Sequence, residues 1–376
     1  MNFYLIMTLF FATVGLCDGL LTSWLFRWKY FYLYGIFGAL IGYASASYYI
    51  WYASHYDEYG LIAHLGAYLS TGLMTALIMV LIPLLVLVIS GWIPFMRSFA
   101  QTAGAVILAA ALFIGVYGSV DGERNETVEH HDIYVENLPD GFDGFKLAQI
   151  TDTHIGPYYK IKDLSDDLDK AKAEGAEVIM MTGDLIDDIR FMPETAGIIS
   201  SRSGSFPYGM IYVRGNHEFH RDPQYIEEEL KKTPIRILNN SHTAIARNNS
   251  VLFVAGVDYP EARGEERNKA MASMTEDAFR GIPEGAPRIF LAHHSDFIDA
   301  GFANHAFLTL TGHTHGMQTG VMGKPLFLPF KYTRGSYTDS IGYGYVSRGN
   351  GGWFPFRIGC SRELAIFTLH KKKGGE

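Results

Sequence analysis

Before residue 120 the chain carries four apolar runs, at roughly 3–26, 31–53, 67–89 and 99–120, almost free of charge. About 20 such residues suffice to cross the hydrocarbon of a bilayer. In that solvent each backbone N–H and C=O must be satisfied within its own segment, so these runs are constrained to be helices. The first run lacks a basic start and three more follow, so it reads as an anchor and not as a cleavable leader. Pro83 falls inside the third run, where neighbouring helices can satisfy the backbone group it frees. Gly38 and Gly42 have small-xxx-small spacing in the second, which fits a close helix contact as well as it fits the ordinary glycine content of membrane helices. Asp18 is the one acid inside a run. Such a carboxylate is a functional hypothesis by default, but the expectation here is a neutral or hydrogen-bonded group within the bundle.

Basic residues orient the spans. Arg27 and Lys29 lie between the first two runs and Arg97 between the last two, whereas the middle loop carries Asp57 and Glu58 and no Lys or Arg. The expectation is a multi-pass protein of the cell (inner) membrane with everything after Val120 outside the cytoplasm. The domain division expected is a transmembrane region over 1–120 and a soluble domain over 121–376. A formal net charge of −8 leaves no global basic footprint, so nucleic acid is not an expected partner. The two cysteines, Cys17 and Cys360, are too few for a disulfide framework or a four-thiolate zinc site, so a metal here would be held by nitrogen and oxygen.

From Asp121 onward strands and helices alternate. Strands are expected over 146–150, 177–181, 210–213, 251–255, 288–292 and 307–310, and helices over 160–174 and 225–232. Five short polar blocks lie in this half, each after an apolar stretch: Asp152-Thr153-His154, Gly183-Asp184-Leu185-Ile186-Asp187, Gly215-Asn216-His217-Glu218, His293, and Gly312-His313-Thr314-His315. In open α/β sheets the loops at the carboxyl ends of strands converge on one crevice, which would gather these blocks. Asp152, His154, Asp184, Asn216, His293, His313 and His315 are too many ligands for one catalytic metal with an open position. They suit two ions, with a carboxylate as the natural bridge. Two ions roughly 3.5–4 Å apart can clamp an in-line displacement at phosphorus and lower the pKa of a shared water so that it attacks as hydroxide. The donor set suits Mn²⁺, Fe²⁺ or Zn²⁺ without selecting among them.

The ordered series D-x-H, G-D-x-x-D, G-N-H-E, H, G-H-x-H resembles the calcineurin-like metallophosphoesterases over roughly residues 129–369. The run Leu138-Pro139-Asp140-Gly141-Phe142-Asp143-Gly144-Phe145-Lys146 narrows the resemblance to the membrane-associated branch. So does the tail Gly344-Tyr345-Val346-Ser347-Arg348-Gly349, with Trp353, Pro355, Arg357 and Glu363. That branch includes phosphodiesterases and a UDP-diacylglucosamine hydrolase of lipid A synthesis. The resemblance implies a four-layer α/β sandwich, here preceded by a four-helix transmembrane region. It implies that Asp152, His154 and His315 hold one metal, that Asp184 bridges, and that Asn216, His293 and His313 complete the second. His217 would contact the phosphoryl oxygen or protonate the leaving group. Ser295 and Met317 stand where the family usually has proline and glycine, which bears on the substrate pocket and not on the ligands.

Asp187 and Glu218 are expected to brace the site from behind, and His220 and His294 to line its rim. Arg348 and Arg357 are open to phosphate binding or to salt bridges. Tyr343, Tyr345, Trp353 and Phe354 are read as core packing ahead of a wall for a lipid tail, and Lys371–Lys373 as a solvated tail. The function expected is a membrane-anchored phosphoesterase acting on a phosphodiester, phosphomonoester or pyrophosphate bond. Its expected partners are a phosphate ester, free or lipid-linked, and membrane lipid. The alternatives are the lipid A hydrolase activity and a non-catalytic metal-binding sensor or interaction module.

Overall fold

The apolar runs are helices α1 (Phe3–Phe26), α2 (Phe31–His55), α3 (Leu61–Ser90) and α4 (Arg97–Arg124) in the computed structural model, which describes residues 3–58, 60–321, 323–326 and 328–372. Among the described residues, three stretches are long and apolar enough to cross a membrane: Tyr4–Phe26, Leu61–Ser90 and Pro94–Gly122. The expected fourth, α2, has the length but not the apolarity. Tyr32, Tyr34, Tyr43, Tyr48, Tyr49 and Tyr52 dilute it, together with Ser45, Ser47 and Ser54.

The small-residue spacing in α2 is a close helix contact. A Cβ placed on Gly38 would lie 2.0 Å from the Gly15 carbonyl oxygen, and one on Gly42 would lie 2.0 Å from that of Phe11. With Gly19 against Tyr34, these pairs run antiparallel along α1 and α2. α3 and α4 pack in the same way, Gly115 meeting Gly72, and Thr71 Oγ1 donates to Ser119 Oγ at 3.0 Å between them. Pro83 stays inside α3 without ending it. Asp18 is buried, and neither carboxylate oxygen has a hydrogen-bond partner among the described residues. The hydrogen-bonded version of its quiet reading is therefore not what the bundle contains.

The chain divides into two units: the helices up to Arg124 together with Phe354–Ile358, and the remainder from Asn125. The second unit holds two six-stranded sheets. In the first sheet the order is Glu126–Val135, Arg362–Lys371, Lys146–Ile150, Val178–Thr182, Met210–Val213 and Arg236–Ile237. The last four of these are parallel. In the second the order is Gly335–Thr338, Tyr343–Val346, Leu308–Thr311, Arg288–Leu291, Ser250–Gly256 and Ser241–Arg247, with the middle four parallel.

Side-chain alternation along the strands builds the layers. Val178 and Met180 pack between the sheets with Leu147, Leu252, Ile289 and Leu308. Ile179 and Met181 point the other way, against Leu164, Leu168 and Ile199 of the helices Ile161–Ala173 and Met192–Ser203. The outer face of the second sheet is covered by the helices Gly264–Phe279 and Phe297–Ala303, through Ala278, Phe279 and Phe297. The result is helices, sheet, sheet, helices, the expected four-layer arrangement.

Candidate metal centre

Each polar block begins within two residues of a strand's carboxyl end. Asp152 follows Lys146–Ile150, Asp184 follows Val178–Thr182, Asn216 follows Met210–Val213, His293 follows Arg288–Leu291 and His313 follows Leu308–Thr311. Because the strands within each sheet are parallel here, these ends share one edge.

All seven candidate ligands meet there. Asp152, His154 and His315 present donor atoms within 4.8 Å of one another, as do Asp184, His293 and His313. His154 Nε2 lies 3.1 Å from His315 Nε2 and 3.5 Å from Asp184 Oδ2. His315 Nε2 is 3.5 Å from Asp152 Oδ1. On the other side, Asn216 Oδ1 lies 2.9 Å from His313 Nδ1 and 3.2 Å from His293 Nε2, which is 3.1 Å from Asp184 Oδ2. Asp184 thus reaches both groups. His217 forms a further trio with His154 and Asp184.

The backbone is bent to achieve this. Asp152 (φ 51°), His154 (48°), Asp184 (51°), His313 (72°) and His315 (48°) are all left-handed. That conformation is uncommon outside glycine and persists where surrounding contacts hold it. The motif glycines make room for the carboxylates: a Cβ on Gly215 would fall 2.2 Å from Asp184 Oδ1, and one on Gly312 would fall 2.2 Å from Asp152 Oδ2.

Buried acceptors and donors then fix the ligands. Fully buried Glu218 accepts from the backbone N–H groups of Asp184 (3.0 Å), Leu185 (2.7 Å) and Gly215 (2.7 Å). Asp184 Oδ1 accepts from His217 N at 2.9 Å, and the Asp152 carboxylate accepts from His313 N and from Thr151 Oγ1. His293 Nδ1–H donates to the Thr182 carbonyl at 2.7 Å, which leaves the Nε2 lone pair facing Asn216 and Asp184. Asp187 Oδ1 accepts from His217 Nδ1 at 2.5 Å, which orients that ring, and sits 3.4 Å from His154 Nδ1.

The charges call for a cation. Burial pushes the Asp152 carboxyl up, and burial with the neighbouring Asp184 does the same to Glu218. Burial works against a charged His293, yet Asp184 and Asp152 prevail and raise it to about 10. Burial likewise opposes charge on His217, and Asp184 and Asp187 raise it to about 9. A buried carboxylate must be paired. At this point either an extra proton on an imidazole or a divalent ion supplies the positive charge, and converging nitrogen and oxygen lone pairs fit the ion.

The other expected residues divide. Buried His294 packs on His313 with ring centroids 4.5 Å apart, within the pocket, whereas exposed His220 lies 6.0 Å from His217 at the rim. Arg348 is a structural ion pair with Glu129 and Glu363, both at 2.6 Å, and Arg357 belongs to the helical unit. Tyr345 is buried and donates to Glu363, Phe354 sits with the helices beside Tyr49, and Tyr343 begins its strand at the end away from the ligands. Lys371 and Lys372 pair with Asp140 and Glu136; Lys373 is outside the described residues.

Two features escaped the sequence reading. Buried Asn350 clamps the residue before Asp152: Thr151 N donates to its Oδ1 at 3.0 Å, and its own N donates to Thr151 O at 2.9 Å. Its Nδ2 donates to Asp167. The only hint was an asparagine between glycines in Gly349-Asn350-Gly351. Tyr259 and Phe330 line the mouth near His313, their rings 5.8 and 5.7 Å away, brought there by loops with no motif.

Residues 145–317 match the family model of the calcineurin-like phosphoesterases. A transmembrane protein with metallophosphoesterase domain from Danio rerio is 30% identical over 284 residues, 72% of this chain and 63% of that protein. The chain thus spans less than two thirds of that relative. The uncharacterized metallophosphoesterase YkuE of Bacillus subtilis is 26% identical over 73% of this chain and 96% of its own length. The phosphodiesterase YaeI of Escherichia coli is 24% identical over 73% of this chain and 98% of its own length.

Proposed function

We propose, from the match of residues 145–317 to the calcineurin-like phosphoesterases, that the protein is a membrane-anchored, metal-dependent hydrolase of phosphodiesters. The observation that carries this is the pair of donor groups joined through Asp184. Asp152, His154, Asp184 and His315 would hold one divalent ion, and Asp184, Asn216, His293 and His313 the other. Bound ions would supply Lewis acidity toward the phosphoryl oxygens and activate water.

The chain's own residues do the rest. Glu218 holds three backbone N–H groups, so Asp184 is oriented before substrate arrives. Asp187 fixes the His217 ring by its Nδ1, leaving Nε2 to face the phosphoryl group or the leaving oxygen. That role for a non-ligand histidine favours an enzyme over a sensor, since binding alone has no use for a proton donor. The name of the E. coli relative favours a diester over a monoester.

The antiparallel packing of α2 on α1 supports both lying in the same layer, so Arg27, Lys29 and Arg97 would face the cytoplasm and the catalytic unit the opposite side. A reporter fused after the catalytic unit tests this. A cytoplasmic reporter would overturn the orientation and return the nucleotide-lipid hydrolase reading, whose substrate is made inside.

The activity is tested with purified full-length protein, Mn²⁺ and bis-p-nitrophenyl phosphate. Turnover that disappears in Asp184→Asn and His313→Ala, with metal content falling, is expected. Metal uptake without turnover of any phosphodiester, across several metals, would favour the sensor reading.

A further inference from the structure

The three most exposed large apolar side chains of the catalytic unit, among the described residues, are Leu328 (72%), Val321 (58%) and Leu326 (56%). They lie on one excursion of the chain that starts at a candidate ligand and returns to the same site. From His315 the backbone turns sharply through Gly316, Met317 and Gln318, all left-handed, into the short hairpin Gly320–Val321 and Lys324–Pro325. It returns with the Phe330 ring 5.7 Å from both His294 and His313. The base is pinned. Arg334 donates to the Gly323 and Gly359 carbonyls, Thr314 Oγ1 donates to Thr333 O at 2.5 Å, and a Cβ on Gly359 would fall 2.1 Å from Gly320 O. The exposed apolar side chains therefore sit on a lip whose base is pinned and which returns to the candidate metal centre through Phe330.

Clustered exposed apolar side chains mark a binding surface, and three observations say which kind. From Gly316 to Thr338 the chain carries Lys324, Lys331 and Arg334 and no acid; Lys331 pairs with Asp299 and Arg334 holds the base, which leaves exposed Lys324 at the hairpin to meet an anionic headgroup. Helix α4 ends at Arg124 and the first strand starts at Glu126, so one residue ties the catalytic unit to a span. The lip also adjoins the reacting centre through Phe330, so what it binds lies next to what is hydrolysed.

We propose that Val321, Leu326 and Leu328 dock into the hydrocarbon of a lipid surface, presenting the metal centre to phosphodiesters whose phosphate sits at the bilayer interface. The substrate class this implies rests on the phosphodiesterase reading; the docking does not.

Full-length protein in nanodiscs of phosphatidylcholine and phosphatidylglycerol, with Mn²⁺, is offered two diesters. One is water-soluble methyl p-nitrophenyl phosphate and the other is hexadecyl p-nitrophenyl phosphate carried in the disc. Replacing Val321, Leu326 and Leu328 together by serine is expected to lower kcat/KM on the hexadecyl ester at least about tenfold and to leave the methyl ester within about twofold, given the apolar area removed. Equal loss on both, or loss on neither, overturns the proposal; the second result would leave the lip to a protein partner. Leu328→Cys on a Cys17→Ser background, bearing an environment-sensitive dye, gives a readout independent of activity. Quenching by phosphatidylcholine brominated on its acyl chains is expected, and unquenched emission overturns the docking. If the wild type turns over neither diester, the phosphodiesterase reading fails while the dye still decides the lip.

Discussion

Asp184 is the residue on which the site turns, since its carboxylate faces His154 on one side and His293 on the other. Asp184→Asn and His313→Ala are expected to cut Mn²⁺-dependent diester hydrolysis by more than about a hundredfold, beyond the 10–100-fold typical of residues behind the ligands. Asp187→Asn belongs to that milder class. It keeps an amide oxygen but removes the negative charge that holds His217 and faces His154, so a loss of about 10–100-fold with metal still bound is expected; steady-state rates beside measured metal content decide it. Asn350→Ala leaves the buried Thr151 N–H without its acceptor, at a cost of about 1–3 kcal/mol, while Asp167 loses one donor and keeps those of Tyr159 and Lys170. A lowered melting temperature and weaker metal binding should appear together, and no change in either would remove Asn350 from the site's support. The seven ligand candidates were legible because their chemistry is written in residue type and order. Asn350 was not, because its importance lies in which backbone it touches, 199 residues away.

At the level of elements, close approach governs both units. Gly38→Leu would drive a side chain into the Gly15 carbonyl, and overpacking of this kind costs about 1–3 kcal/mol. The detergent-solubilised protein should melt earlier, whereas Gly197→Ala, where a Cβ meets nothing within 4 Å, should not destabilise it. Strand positions were legible to within a residue or two, since buried strands are short continuous apolar runs: 146–150 and 210–213 coincide with Lys146–Ile150 and Met210–Val213. The α2 composition was harder to read. A run that is hydrophobic by residue class is rich in tyrosine, whose hydroxyls lower its apolarity, and its α1-facing glycines matter only once α1 lies against them.

For the molecule as a whole, metal binding and folding are expected to be linked. A ligand that binds only the folded state stabilises it by mass action, so chelation should lower both the melting temperature and the activity, and Mn²⁺ should restore both. Unchanged melting after verified metal removal would mean that the buried carboxylates are balanced without an ion. By itself the sequence determined the helical first part, the alternating second part and the identity of the candidate metal ligands. Each of these depends on residue type and local spacing: bilayer length, strand periodicity, and donor chemistry. Only the tertiary structure decided that Asp184 reaches both donor groups, that five candidate ligands sit on left-handed backbone, and that Asn350 clamps the first loop. It alone left Val321, Leu326 and Leu328 exposed on the excursion that brings Phe330 against His313. Those are distances between segments far apart in the chain, and they exist only after two sheets have packed and brought their strand ends to one edge.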